Sequence, residues 1–482
     1  MKTFLKRKIR ICKLGGSLFL LGFALLYSHV EVGMSGNESG RFATIQSIAE
    51  QGVFYIEKTN FRTVDRCVRN NHVYYDKLPL LSLCLAGVYA PLHKVFKINF
   101  VDNYHLSIYL MNLFLGAVVN ILLFLWLFDL LRTVKKGSWQ LKALLALGCV
   151  CGSWIISYST MINNHTPAAL GVLGCFIALM RYSKVPTLRA ALVAGFSAGI
   201  TGLLEIPCGL FFGLAALSGV FFTAPREKRL QHTAAVAGAG ALCVGAGMII
   251  NFTAYDTVLP LYLGSQGVKG TYSPSMNSNI LYYWYHALLG DRGIFIYTPF
   301  LLCGLWYCVS RFKNLALPER AAAAGIGAFM LFYLLCTDEF GGQSYGLRYF
   351  IPVIPLLWFW GCRLYLEVPA FKWKGALLAI FITWGVITGL AGAYFPFNIG
   401  NEGVRSPEGH FTRNISSFGG NLLCWSYENF PGSSLTQALI DRYGISDSLQ
   451  YMYWSYFHQK KLEQLRQMQQ DFGALFPGKK LR

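Results

Sequence analysis

Long apolar runs alternate with short polar turns along most of the chain. The runs cover about residues 14–30, 104–131, 143–160, 165–181, 188–204, 206–222, 233–252, 293–310, 321–336, 351–366 and 375–394. Most approach the ~20 apolar residues that carry a helix across a bilayer. The pattern predicts an all-α polytopic membrane protein with about 11 transmembrane helices. One further apolar piece, Leu78 to Phe96, is broken by Pro91, His93 and Lys94 and is too short and mixed to span. It reads as a juxtamembrane helix lying at the outer interface.

Three stretches stay polar: residues 31–103, 253–292 and 395–482. In the first, Phe42, Ile45, Ala49 and Val53 recur at helical spacing, which predicts a short helix ended by Gly52. The third opens with Pro396, Pro407 and Pro431 and then takes a helical pattern from about Ser446 to Phe472. The chain therefore divides into a transmembrane domain, residues 1–394, and a small C-terminal segment, residues 395–482.

Charge placement orients these elements. Lys2, Lys6, Arg7, Lys8, Arg10 and Lys13 precede the first run, and no small-residue cleavage site follows it, so it reads as an uncleaved helix entering from the cytoplasm. Leaving residues 78–96 out of the span count puts Arg132, Lys135, Lys136 and Lys142 inside, with the later clusters around Arg189, Arg229, Lys313 and Lys372. The turns 160–166 and 205–207 then lie outside and carry no Lys or Arg, as the positive-inside rule requires. The expected topology is a multi-pass protein of the plasma (inner) membrane, N-terminus cytoplasmic and C-terminus exoplasmic. Residues 31–103 and 253–292 become exoplasmic loops.

Composition agrees with this placement. Hydrophobic residues make up 54% and charged residues only 13%, against about 25% charged in soluble domains. The net charge of +19 is scattered between the apolar runs rather than gathered on a face, which argues for topology signals and against nucleic acid as a partner. Most of the 13 cysteines sit in apolar segments, where Cys packs as a small hydrophobe. Only Cys67 and Cys424 fall in polar regions, and a disulfide between them stays open.

Candidate chemistry concentrates in the first loop. Glu38 and Arg41 are three apart and share one side of the expected helix. Ser35-Gly36-Asn37-Glu38 also fits a capping box, and the two roles can coexist. Asp65 lies between Arg62, Arg66 and Arg69, either as a surface ion-pair cluster or as a carboxylate kept ionised in a basic cleft. Tyr75, Asp76 and Lys77 stand just before Pro79, where an interfacial anchor and a phosphate-binding lysine both suit. Farther on, Glu339, Tyr345 and Arg348 flank a glycine-rich turn, and Arg348 breaks the charge bias of the exoplasmic turns. Asn163-Asn164-His165 and Glu205 are polar groups at outer helix ends, where turns are expected in any case.

These residues resemble a family. An acidic residue just ahead of Arg41-Phe42-Ala43, a loop closing on Tyr74-Tyr75-Asp76-Lys77-Leu78-Pro79, and the motifs Gly290-Asp291-Arg292-Gly293 and Gly341-Gly342-Gln343-Ser344-Tyr345-Gly346-Leu347-Arg348 look like the GT-C class of membrane glycosyltransferases. The similarity is nearest to bacterial members grouped with protein O-mannosyltransferases and the aminoarabinose transferase of lipid A. It covers about residues 10 to 395. It implies transfer of a sugar from a polyprenyl-phosphate donor to a glycan, glycolipid or protein acceptor at the exoplasmic face, usually with inversion.

Carried over, Glu38 stands at the catalytic acid, and Lys77 contacts the carrier phosphate. Arg348, Arg41 and Tyr75 assist with phosphate and lipid; Asp76, Tyr345, His165 and Glu339 fall to substrate binding. The family commonly has Asp followed by Glu where this chain has Glu38-Ser39, so Glu38 and Asp65 both stand as candidate bases. A divalent metal is compatible with this chemistry, and no ligand cluster in the sequence indicates one. Two other classes compete: a transporter or flippase of lipid-linked sugars, which calls for ionisable groups near the bilayer midplane, and a non-catalytic member of the fold that binds lipid-linked sugar.

Overall fold

The computed structural model of the chain describes residues 2–30, 36–261, 280–337, 340–342, 344–369, 372–396, 417–443, 463, 466–468 and 470. Helix α1 (Lys2–Tyr27) is followed by α2 (Gly36–Gln46), a hairpin of β1 (Arg66–Arg69) and β2 (His72–Tyr75), and α3 (Leu80–Lys94). Next come α4 (Tyr104–Leu131), α5 (Trp139–Cys151), α6 (Trp154–Tyr158), α7 (His165–Lys184), α8 (Leu188–Leu204), α9 (Ile206–Thr223) and α10 (Arg229–Tyr255). The bundle continues with α11 (Ile280–Leu288), α12 (Ile294–Tyr297), α13 (Phe300–Arg311), α14 (Leu317–Cys336), α15 (Ile354–Glu367) and α16 (Lys374–Tyr394). Helices α17 (Ser417–Asn429) and α18 (Ser434–Tyr443) follow and pack on each other, α17 also on α16.

Among the described residues, 8 helical segments are long and apolar enough to cross a membrane. The chain is a multi-pass membrane protein. Two of the expected spans take another form, and a third is short. Span 143–160 is split into α5 and α6 at Gly152-Ser153, where the Ser153 hydroxyl caps α6 by accepting from the Ile155 N–H. Span 293–310 is split at Thr298-Pro299, since proline has no N–H for a helical bond. Span 188–204 forms with the expected bounds as α8, a single apolar helix of only 17 residues. The span expected at 351–366 also begins irregularly, with a tight 3₁₀ stretch from Arg348 to Val353 ahead of α15.

The first loop is not wholly helical. Residues 66–75 pair antiparallel, Arg66 opposite Tyr75 and Arg69 opposite His72. Asn70 and Asn71 turn the hairpin with φ of 50° and 62°, a left-handed pair that asparagine tolerates better than other side-chain-bearing residues. Helix α2 passes into a wider turn over Ser47–Gln51, which Gly52 ends at φ 71° as expected. Helix α3 occupies the place of the expected interface helix and buries Leu81, Leu85, Ala86 and Tyr89, packing against α2 and α4. Cys67 and Cys424 are both free and sit in separate apolar clusters, so no disulfide joins them. The tail helix expected from Ser446 to Phe472 lies outside the described residues except for 463, 466–468 and 470, which are helical.

Inside the bundle, glycines let backbones touch. A Cβ on Gly304 of α13 would come within 1.9 Å of the Leu357 carbonyl oxygen of α15, and Gly361 returns the contact from the other side. Small residues at such crossings are how helices pack without a hydrophobic driving force between them. Gly304→Ala should therefore destabilise the protein by about 1–3 kcal/mol. Gly327→Ala, where nothing lies within 4 Å, should be neutral or gain up to about 1 kcal/mol of helix propensity. Thermal unfolding of the purified protein in detergent measures both; equal shifts for the two variants would contradict the packing account.

Candidate functional site

Glu38 lies in the first turn of α2 and is fully buried, where the helix N-terminus favours a negative charge. One turn on, Arg41 donates to the Asn37 carbonyl at 3.3 Å and to Asn164 Oδ1 at 2.7 Å, with its guanidinium 5.8 Å from the centre of the Tyr75 ring. The Tyr75 hydroxyl donates to Asn37 Oδ1 at 3.0 Å. Position 40 must be glycine for this to close, because a Cβ there would sit 2.1 Å from the Tyr75 ring. The end of β2 is thereby pressed onto α2.

Asp65 arrives beside the same turn from the start of the hairpin. A Cβ on Gly36 would meet its carboxylate at 3.0 Å, and Thr63 fixes the approach by donating to the Gly36 carbonyl at 2.6 Å. Asp65 is half-buried, whereas Asp76, directly after β2, is 1% exposed. Lys77 Nζ donates to Asp76 Oδ2 at 3.2 Å, and Asp76 Oδ1 has no hydrogen-bond partner among the described residues. Burial pushes the Asp76 carboxyl above its usual range; Lys77 opposes this and the Asp65 charge adds to it. Burial likewise pushes the Tyr75 phenol up.

A second group comes from helix ends. Asn164, just before α7, accepts from Arg41 and donates to Glu205 Oε2 at 2.6 Å and to the Leu204 carbonyl at 2.9 Å. Glu205, between α8 and α9, also accepts from the Tyr333 hydroxyl of α14 and lies 3.2 Å from His165 Nδ1. All of Glu205 and His165 but about 6% is buried.

The third contribution is the turn ahead of α15. Gly341, Gly342 and Gly346 have φ of 87°, 69° and 68°, which folds the turn back around Arg348; Gly341 leaves room for its side chain. Arg292 holds the turn in place: its guanidinium donates to the Ser344 carbonyl at 2.6 Å, and its own carbonyl accepts from the Leu347 N–H at 3.2 Å. Arg348 faces Asp65, Tyr75 and Tyr158, and its Nε is buried without a hydrogen-bond partner among the described residues.

Arg41, Asp65, Tyr75, Asp76, Lys77, His165 and Arg348 thus lie in one polar cluster, and Glu38 is buried in the helix turn ahead of Arg41. Tyr345 turns the other way. It is fully buried and donates to the Thr388 carbonyl at 2.6 Å, so it anchors the turn in the core rather than facing the cluster. Glu339 lies outside the described residues. Asn37, Asn164, Glu205, Tyr333 and Arg292 complete the arrangement. Their signal in the sequence is weak, since a polar residue at a helix end is ordinary and only the fold shows that several ends meet. Among the described residues, no three His, Cys, Asp or Glu side chains gather as metal ligands.

Next to Lys77 begins an apolar groove. It has a volume of about 520 Å³ and runs between α8, α9 and α10 from Leu78, past Gly199, Gly202 and Gly213, with Leu259 and Pro260 also on its wall.

The raised Asp76 pKa has a consequence for stability. Asp76 binds its proton more tightly folded than unfolded, so its stabilising contribution is full below its ordinary range and is lost as pH rises through the folded value. Asp76→Asn should therefore melt no lower than wild type at pH 7, with the difference moving toward wild type as pH falls to about 4. Melting curves across pH check this, and a large loss at pH 7 would show that the Lys77 pair outweighs burial.

No family model and no curated protein matches the sequence. Solved structures do match. The archaeal oligosaccharyltransferase AglB from Archaeoglobus fulgidus, in complex with an inhibitory peptide and a dolichol-phosphate, aligns with a TM-score of 0.52 at 12% identity, over 93% of this chain and 61% of that one. The apo form of the Archaeoglobus fulgidus oligosaccharyltransferase gives 0.51 at 12% identity, over 93% and 61%. The arabinosyltransferase EmbB from Mycobacterium smegmatis aligns at 0.46 and 14% identity, over 94% and 41%. The chain spans about three fifths of the length of the oligosaccharyltransferase it matches. It shares the fold of the Archaeoglobus fulgidus oligosaccharyltransferase.

Proposed function

We propose that this protein transfers a sugar from a polyprenyl-phosphate donor to an acceptor hydroxyl at the exoplasmic face of the plasma (inner) membrane, with inversion. One observation carries the reading: Lys77, which shares a cluster with Arg41 and Arg348, is followed directly by Leu78 on the wall of an apolar groove. A phosphate-headed lipid needs both halves in that order. Its anionic head meets cations whose charge is held in place by Asp76, Asn164 and the glycine turn, and its tail leaves water for the groove. That a fold neighbour was solved with a dolichol-phosphate accords with this reading.

In the transfer step a carboxylate takes the proton of the acceptor hydroxyl as its oxygen attacks the anomeric carbon. The bond from that carbon to the phosphate oxygen breaks, and Lys77, Arg41 and Arg348 stabilise the charge that develops on the leaving phosphate. Two carboxylates answer to the first task. The family resemblance points to Glu38, while its half-buried setting leaves Asp65 more open to an incoming acceptor. The positions of the ionisable groups at helix ends, rather than in mid-span, favour transfer over transport.

Glu38→Gln and Asp65→Asn should separate these two. Replacing the base should cost about 10²–10⁴-fold in turnover, and replacing the other should cost clearly less, in an assay of labelled sugar leaving a polyprenyl-phosphate donor. Native rates in the double variant would sink the reading. The groove makes its own prediction. Nothing lies within 4 Å of where a Cβ on Gly213 would be, so Gly213→Phe should fill the groove without disturbing the helices. It should raise KM for a long-chain donor and leave kcat unchanged, which is the mark of a lost ground-state contact.

A further inference from the structure

His165 and Glu205 form a carboxylate–imidazole pair. Glu205 accepts from two donors, Asn164 Nδ2 at 2.6 Å and the Tyr333 hydroxyl, and its Oε2 lies 3.2 Å from His165 Nδ1 as an ion pair. This approach sets Nδ1 beside the Glu205 carboxylate and leaves Nε2, on the other side of the ring, turned away from it. The charges facing the ring from neighbouring elements are Glu205 after α8, Arg41 of α2 and Arg348 ahead of α15. The phenols near it are Tyr349, edge-on at 6.0 Å, and Tyr333 behind Glu205. Two of these charges, Arg41 and Arg348, are the cations assigned above to the donor phosphate, so His165 borders that phosphate too.

We propose that His165, oriented by Glu205, is the proton donor to the polyprenyl phosphate, through Nε2. The assignment rests on the donor reading above and adds the fate of the second proton. When the anomeric C–O bond breaks, its electron pair goes to the phosphate oxygen, and the imidazolium Nε2 proton passes to that phosphate. The acceptor's proton is meanwhile on the loop carboxylate, and exchange with water returns both groups to their starting states. The residue types suit this division. A phosphate monoester has a second pKa of about 6 and imidazole one of about 6.5, so a proton passes between them at little cost. A carboxylate near 4 would hold no proton to give. Bound phosphate supplies the anion that favours imidazolium against Arg41 and Arg348, so lipid binding takes up a proton.

The linkage can be read without turnover. Undecaprenyl phosphate is titrated into the purified full chain in detergent between about pH 5.5 and 8.5. Wild-type affinity should fall as pH rises, approaching tenfold per pH unit at the steepest. In His165→Gln and His165→Asn the fall should vanish, or turn into a slight rise as the lipid phosphate becomes dianionic and meets the remaining arginines and lysine. A flat or rising wild-type profile overturns the assignment while leaving the donor reading in place. A fall that persists in both variants overturns it too, since another group would then carry the proton. Absence of saturable binding by wild type at every pH overturns the donor reading and this proposal with it.

Discussion

A charged carboxylate can be buried at the end of an apolar helix bundle only where donors surround it, because the cost of dehydrating it exceeds that of almost any packing change. Glu205 meets that condition by drawing on three places in the chain. Asn164 and His165 open α7, Tyr333 reaches across from α14, and Arg41 of α2 connects through Asn164. Remove the carboxylate and these groups have no common partner. The first loop is fastened to the bundle through the same residue, since the Arg41–Asn164 bond is a link from α2 to the helix ends. The polar cluster is therefore a structural necessity of the buried Glu205 as well as a place for chemistry.

Tight packing provides the second constraint. Where α8, α9 and α10 meet, Gly195, Gly199 and Gly209 allow contacts that a Cβ would forbid, their nearest atoms being at 2.2, 2.7 and 2.1 Å. The same glycines have no side chains to fill the space on the other flank of these helices, and the groove beginning at Leu78 is what remains. Close approach of backbones and an open apolar channel thus follow from one choice of residue. A bundle built from leucine at these positions would have neither. Lys77 sits next to Leu78 of the channel wall because the hairpin, held down by Tyr75 against Gly40, ends there.

Much of this was legible in the sequence, for reasons that differ by element. Runs such as 104–131 and 375–394 match α4 and α16 almost to the residue, because length and hydropathy decide a membrane helix with little help from its neighbours. The splits at Gly152-Ser153 and Thr298-Pro299 were hidden, since hydropathy does not fall at a break that packing and backbone chemistry make. The hairpin was hidden too: its strands are four residues each, too short for alternation to speak, and Asn70-Asn71 reads as turn only once the partners are known. Arg348 announced itself by defying the charge bias. Glu205 and Asn164 did not, because each is unremarked in its own turn and gains meaning only from the meeting of turns far apart in sequence. Tyr345 misled for the converse reason: it stands in a motif beside Arg348, but a tight glycine turn sends neighbouring side chains to opposite sides.

The three loop carboxylates show how environment divides similar groups. Glu38 and Asp76 are both buried, yet Glu38 lies in the first turn of a helix, where the backbone dipole favours its charge, and Asp76 follows a strand with one lysine as its cation. Asp65, ahead of β1, is half-open. A base for a hydroxyl must be ionised before the acceptor binds, which Asp76, pushed toward its neutral form by burial, satisfies least. Its Oδ1 has no hydrogen-bond partner among the described residues, while Oδ2 accepts from Lys77. Burial thus sets Asp76 apart from Asp65, which solvent still reaches.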